Sequence, residues 1–148
     1  MTEKEQNDRR SIARTIRLVE RYFSGGDWLI TFSYLSGKEP HSREAARWHL
    51  KSLVIDPLRR IRTAQGVPCL YAYGLRMAEE KPAEIRLILS KGKETPEYFV
   101  QTWGRGAVTC CPLRRVGDIS ALVRRMYAEA AKGAHKGYRP IVHARGMV

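Results

Sequence analysis

Apolar residues recur along the chain with two different periods. Ile12, Ile16, Val19 and Phe23 are spaced four, three and four apart, which predicts a helix over residues 8–23. Gly25 and Gly26 follow it as a stop. The run WLITFSYL at 28–35 is rich in aromatic and β-branched residues and reads as a strand. Trp28, Ile30, Phe32 and Tyr34 face one way, and Leu29, Thr31, Ser33 and Leu35 the other. Ser42 caps a second helix whose apolar stripe is Ala46, Leu50, Leu53 and Val54. Asp56-Pro57 interrupts that stripe and starts a renewed helix, which Gly66 and Pro68 end.

Alternation returns at 69–78. Cys69, Tyr71, Tyr73, Leu75 and Met77 take one face, and Leu70, Ala72, Gly74 and Arg76 the other. After a turn, EEKPA, the strand 84–90 puts Ile85, Leu87 and Leu89 opposite Glu84, Arg86 and Ile88. Thr95-Pro96-Glu97 starts a helix running to Trp103, with Gly104 beyond it. Residues 106–113 make a short strand that ends at Pro112. Asp118 caps a last helix, 118–132, carrying Ile119, Leu122, Val123, Met126 and Ala130.

The predicted order is helix, β-α-β-β-α-β, helix. This is an α+β, ferredoxin-like split βαβ pattern: an antiparallel sheet with two helices on one face and flanking N- and C-terminal helices. The chain reads as one domain over 1–148, with a basic helix at 8–23, the βαββαβ core at 28–113, a C-terminal helix at 118–132 and, at 134–148, a basic tail or a loosely docked strand. Such a fold implies no function by itself.

Charge changes the picture. Lys and Arg number 27 against 15 Asp and Glu in 148 residues, a net charge of +12. So large an excess repels itself in a compact state, and a polyanion relieves the repulsion. Nucleic acid is the expected partner, DNA ahead of RNA. No apolar run reaches the roughly 18 residues of a membrane helix, and no membrane partner is expected. The polar start MTEKEQNDRR is unlike a signal peptide, so a cytoplasmic protein is expected. The three cysteines, Cys69, Cys110 and Cys111, form no CxxC pair and read as buried thiols. Neither a cofactor nor a metal is expected: His41, His49, His135 and His143 lack ligand spacing, and there is no phosphate-cradling glycine loop.

The arginines are placed unevenly. Arg10, Arg14, Arg17 and Arg21 share one side of the first helix, where Glu20 is the only acid between Arg9 and Arg21. Pairing along the helix cannot account for so many guanidinium groups, which favours contact with phosphate. Arg59, Arg60 and Arg62, then Arg124, Arg125, Lys136 and Arg139, are further candidate nucleic-acid contacts. Tyr71, Tyr73 and Trp28 would stack on bases if the sheet exposed them; core packing is the alternative.

Several segments in order resemble the His-hydrophobic-His (HUH) replication initiators of filamentous phages and Gram-positive mobile elements, which nick DNA for rolling-circle replication. Phe23 to Tyr34 is similar to that family's opening helix end and strand, Leu50 to Arg62 to its basic second helix, Trp103-Gly-Arg-Gly-Ala-Val108 to its Trp-x-x-Gly-x-Val turn, and His143 to Met147 to its closing stretch. The family's chemistry takes two histidines one residue apart, a nearby carboxylate and a tyrosine nucleophile around a divalent ion. Carried onto this chain, the histidine positions hold Glu84 and Arg86, the carboxylate position Arg76 and the tyrosine position Arg125. Arginine has no acceptor and keeps its proton, so Arg76 and Arg86 would repel a cation and pair with Glu84 instead.

The resemblance therefore implies no catalytic residues. It points to a non-catalytic nucleic-acid-binding protein of a mobile element or phage, on an initiator-like scaffold. The alternatives are a phage- or plasmid-encoded inhibitor of a host nucleoprotein defence effector, of the anti-CRISPR type, and a residual metal-dependent single-strand nickase.

Overall fold

The computed structural model describes residues 2–78 and 81–148; the first two positions of the expected EEKPA turn, and Met1, lie outside them. In chain order the elements are α1 (Glu3–Tyr22), β1 (Trp28–Ser33), α2 (Arg43–Leu50), a π turn (Lys51–Ile55), α3 (Asp56–Gln65), β2 (Tyr71–Arg76), β3 (Glu84–Leu89), α4 (Pro96–Trp103), β4 (Val108–Pro112), α5 (Ile119–Ala131) and β5 (Ile141–His143). The strands form one antiparallel sheet in the order β4-β1-β3-β2-β5. The first four strands and their helices are the ferredoxin-like split βαβ unit, and α1 and α5 flank it.

The alternation of apolar residues decides the layering. Ile30, Phe32, Tyr73, Leu75, Ile85, Leu87 and Leu89 pack with Leu50, Val54 and Leu58 of the α2–α3 rod and with Phe99 and Trp103 of α4. On the other face Ala72 and Ile88 meet Ile16 and Val19 of α1 and Val123 and Met126 of α5. Each fully buried Ile, Leu or Phe contributes about 1.5–3 kcal/mol of transfer free energy. Gly74 lies under α5 and β5: a Cβ there would meet Ile141 Cδ1 at 3.0 Å, so its hydrogen lets the layers close.

Three elements differ from their sequence reading. First, α1 begins five residues early, because Thr2 and Glu5 form a capping box in which each side chain accepts from the other's backbone N–H. Second, Asp56-Pro57 does not break the second helix. Asp56 N–H donates to Lys51 O, five residues back, and this wider turn carries the rod past the proline without a gap. Third, the closing basic segment is no free tail: it takes the docked-strand alternative as β5, which pairs Ala72↔His143, Tyr73↔Val142 and Gly74↔Ile141 and widens the sheet to five strands.

The β1 end is clasped by the loop after α4. Leu35 N–H donates to Arg105 O at 2.8 Å, Ser33 N–H to Ala107 O at 2.9 Å, and Trp103 Nε1–H to Ser33 O at 2.7 Å. Gly106 sits inside this clasp, where a Cβ would lie 2.3 Å from Ser33 O and 2.9 Å from Leu35 N. Both neighbours are backbone and cannot step aside. Gly106→Ala is expected to destabilise the protein by about 1–3 kcal/mol, read as a lower midpoint in urea unfolding. An unchanged midpoint would mean that the loop does not close on β1.

Candidate nucleic-acid interface

The β2–β3 register sets Arg76 directly opposite Glu84, and Arg86 lies two residues further along the same face. Arg76 Nη2 donates to Glu84 Oε2 at 3.4 Å and to Pro82 O at 3.2 Å. Arg86 Nε donates to Glu84 Oε1 at 3.2 Å, and its Nη1 lies 3.4 Å from Glu129 Oε2 on α5. The side chains are about four-fifths buried, so these contacts form a partly desolvated network of two arginines and two carboxylates. Arg125 is exposed one helical turn before Glu129. Both acids are engaged by guanidinium groups, so the cluster does not fit a divalent ion. Among the described residues, no three His, Cys, Asp or Glu side chains gather closely enough to hold a metal.

The surplus charge sits elsewhere. Arg10, Arg14, Arg17 and Arg21 are all exposed along α1, and no acid lies in salt-bridge range of them among the described residues. Arg21 Nη1 also donates to Val148 O at 3.1 Å. α1 packs on α5, whose Arg124 and Arg125 are exposed, so the two helices bring six of the expected contacts into one layer. Lys136 and Arg139 lie on the turn that leads into β5. Arg14 and Arg139 line one cavity, which ties α1 to that turn.

Arg59 and Arg60 belong to α3, on the opposite face of the sheet, and do not join this layer; Arg59 pairs with Asp56 at 2.6 Å. Arg62 departs from its expected role altogether. It is 1% exposed and donates from Nε and Nη2 to Glu94 Oε1, at 3.1 and 2.7 Å, and from Nη1 to Pro68 O and Ser90 Oγ, each at 3.0 Å. It staples α3 to the loops on either side of the β2–β3 hairpin, with four of its five N–H donors engaged and its guanidinium too deeply buried to reach a phosphate.

No protein-family model, curated protein or solved structure matches the chain. The reading of the site therefore rests on its geometry.

The aromatic candidates lie in or against the core. Tyr73 is buried, and Tyr71 and Trp28 pack partly buried against the layer beneath α2–α4. Tyr71 and Tyr73 stack on each other at 6.2 Å. The cysteines are half-buried rather than fully enclosed, and all three are free thiols. Burial pushes Cys69 and Cys110 up.

Arg43 and Arg47 were not legible as functional candidates. Arg43 donates to Ala130 O at 3.0 Å and Lys132 O at 2.8 Å, satisfying carbonyls at the end of α5. Arg47 donates to Arg139 O. The Tyr138 ring carries both guanidinium groups, 4.9 and 4.3 Å from its centroid. Together they bind the turn before β5 to the start of α2. No local pattern announces contacts that span some ninety residues.

One phenol stands beside an imidazole: Tyr34 Oη lies 2.9 Å from His49 Nδ1. The pair does not make a nucleophile. Burial drives the Tyr34 phenol up to about 12 against a partial offset from Arg105, and burial, then Arg105, lowers His49. Tyr73 also rises to about 12 through burial, partly offset by Arg47. Their neutral forms are favoured by folding, so this stability is complete below the ordinary pKa of 10.0 and is lost as pH rises towards 12. Alkaline titration of tyrosinate absorbance is expected to show two of the seven tyrosines ionising only near 12 or on unfolding. Early ionisation of Tyr34→Phe-sensitive signal would show an activated phenol.

Arg62 offers a second check. Arg62→Met leaves the Glu94 carboxylate buried and unpaired, and is expected to cost about 3–5 kcal/mol in chemical unfolding. Combining it with Glu94→Gln is expected to recover much of that loss. Equal stability of Arg62→Met and the unaltered chain would return Arg62 to the surface.

Proposed function

We propose that this chain is a non-catalytic nucleic-acid-binding protein of a mobile element or phage, built on a scaffold resembling that of rolling-circle replication initiators. The observation that carries the proposal is the division of charge. Where a nicking centre would need a cation and its ligands, the carboxylates of Glu84 and Glu129 are engaged by Arg76 and Arg86. Four arginines on α1 and two on α5 meanwhile face solvent without acid partners among the described residues.

Phosphate is the chemistry this surface suits. Guanidinium groups keep their charge and bind phosphate oxygens in pairs. Four of them in successive turns of a straight helix repeat about every 5–6 Å, within reach of neighbouring phosphates on a strand. Contacts of this kind give affinity and register with little reading of base sequence. The reading takes DNA ahead of RNA as the partner, and the helix stripe is compatible with either polymer.

Affinity is expected to fall steeply with salt. Replacing Arg10, Arg14, Arg17 and Arg21 together by Gln should weaken binding and flatten the slope of log affinity against log salt by about 3, the change for four lost phosphate contacts. Fluorescence anisotropy with a labelled strand at several salt concentrations reads both. Failure to bind any DNA or RNA at low salt would overturn the proposal, and an unchanged slope in the variant would move the interface off α1.

A further inference from the structure

Two cavities of about 830 and 360 Å³ lie between α1 and the chain from Ala131 to His143. Ser11, Tyr127, Tyr138 and Pro140 line both, so they are compartments of one cleft. Each has the size of a small-ligand site, which runs from about 300 to 1,000 Å³.

The two compartments differ in charge: the narrow one is basic and the wide one is mixed. Arg14, Arg139 and His143 line the narrow compartment, with the hydroxyl residues Ser11 and Thr15. Glu3 and Asp8 line the wide one, beside Lys4 and Lys136. Its walls are fixed. Tyr138 is held by Arg43 and Arg47 from α2, and His143 sits in β5 with Nδ1 3.0 Å from Ala144 O. Tyr127 is buried at the junction of α1 and α5.

A bare phosphate backbone suits the narrow end, whereas the wide end sets two carboxylates against two lysines and offers acceptors that a phosphate cannot use. A nucleotide suits both. Its phosphate is the anion, and the exocyclic amino group of adenine, cytosine or guanine is a donor that a carboxylate accepts. We propose that this cleft takes one unpaired nucleotide unit, with its phosphate at Arg14, Arg139 and His143 and its base edge towards Asp8. The inference rests on the nucleic-acid reading above for the source of that unit. Arg14 belongs both to the α1 stripe and to the cleft, so a strand lying along the stripe delivers a nucleotide to the opening. A base within a duplex has its edge occupied and stays out. The cleft therefore selects single strands, and among them bases with an exocyclic amino group over thymine.

Equilibrium binding of oligodeoxycytidine, oligothymidine and a blunt duplex of equal charge tests this in the unaltered chain. Oligodeoxycytidine is expected to bind about tenfold tighter than the other two, the discrimination of one well-placed base contact. Asp8→Asn should bring it to the oligothymidine level, and Arg139→Gln should weaken both single strands more than the duplex. Equal affinity for all three, with the salt dependence intact, overturns the cleft and leaves the nucleic-acid reading standing.

If no oligonucleotide binds at low salt, that reading fails, and titration of free cytidine monophosphate and of inorganic phosphate decides the cleft alone. Nuclear magnetic resonance shifts at Asp8 and His143 with the nucleotide assign it to a free mononucleotide. Shifts at His143 alone, with either ligand, or no shifts, overturn it.

Discussion

Strand β3 is paired on both edges and covered on both faces, and the rest of the molecule answers to that confinement. Ile85, Leu87 and Leu89 find an apolar layer beneath them, and Ile88 finds one above. Glu84 and Arg86 share the face of Ile88, near the end of the strand, where α5 crosses. Water reaches them too poorly to solvate two charges, so each must be met by protein. Arg76 comes from the neighbouring strand and Glu129 from the covering helix. The ionic contacts at this end of the sheet are a consequence of closing two helical layers over one central strand.

That closure also sorts the charges. Acids that lie under helices or against loops are engaged: Glu94 by Arg62, Glu84 by two arginines, Asp27 by the backbone N–H groups of Ser24 and Lys91. About half of the positive excess is left on α1, α5 and the turn before β5. Like charges at the spacing of one helical turn repel one another, a strain that a bound polyanion relieves. The property that makes the free protein uncomfortable is the one that fits it for a partner.

Much of this was legible in the sequence, and the rest has identifiable reasons for having been hidden. Alternation in β1, β2 and β3 is strong because each strand has a buried face, so the split βαβ order could be read directly. The sharing of one face by Arg76, Glu84 and Arg86 followed from that alternation and the hairpin. The start of α1 was marked by Thr2 and Glu5, a capping signature that the apolar period did not reach. Arg62 stands four residues after buried Leu58, in the phase of the core stripe, and that phase outweighed its charge because Glu94, 32 residues away, was waiting. Strand β5 has three residues, too few for a period, and exists because the edge of β2 is open to it. The cleft was out of reach for the same reason: its walls meet only after the last turn is bound by Arg43 and Arg47.

The wide turn at Lys51–Ile55 has a consequence for how this chain tolerates change. A π turn amounts to one residue more than a regular helix needs, and here that residue sets the rotational phase of α3 against α2. Removing it would restore ideal pitch while swinging everything downstream by about 100° around the rod axis. Leu58 would leave the core and Arg62 would lose Glu94, Ser90 and Pro68 together. In this rod, local helical perfection and global fit are incompatible, and the surplus residue is the hinge pin on which lineages with longer or shorter versions of the segment would have to part.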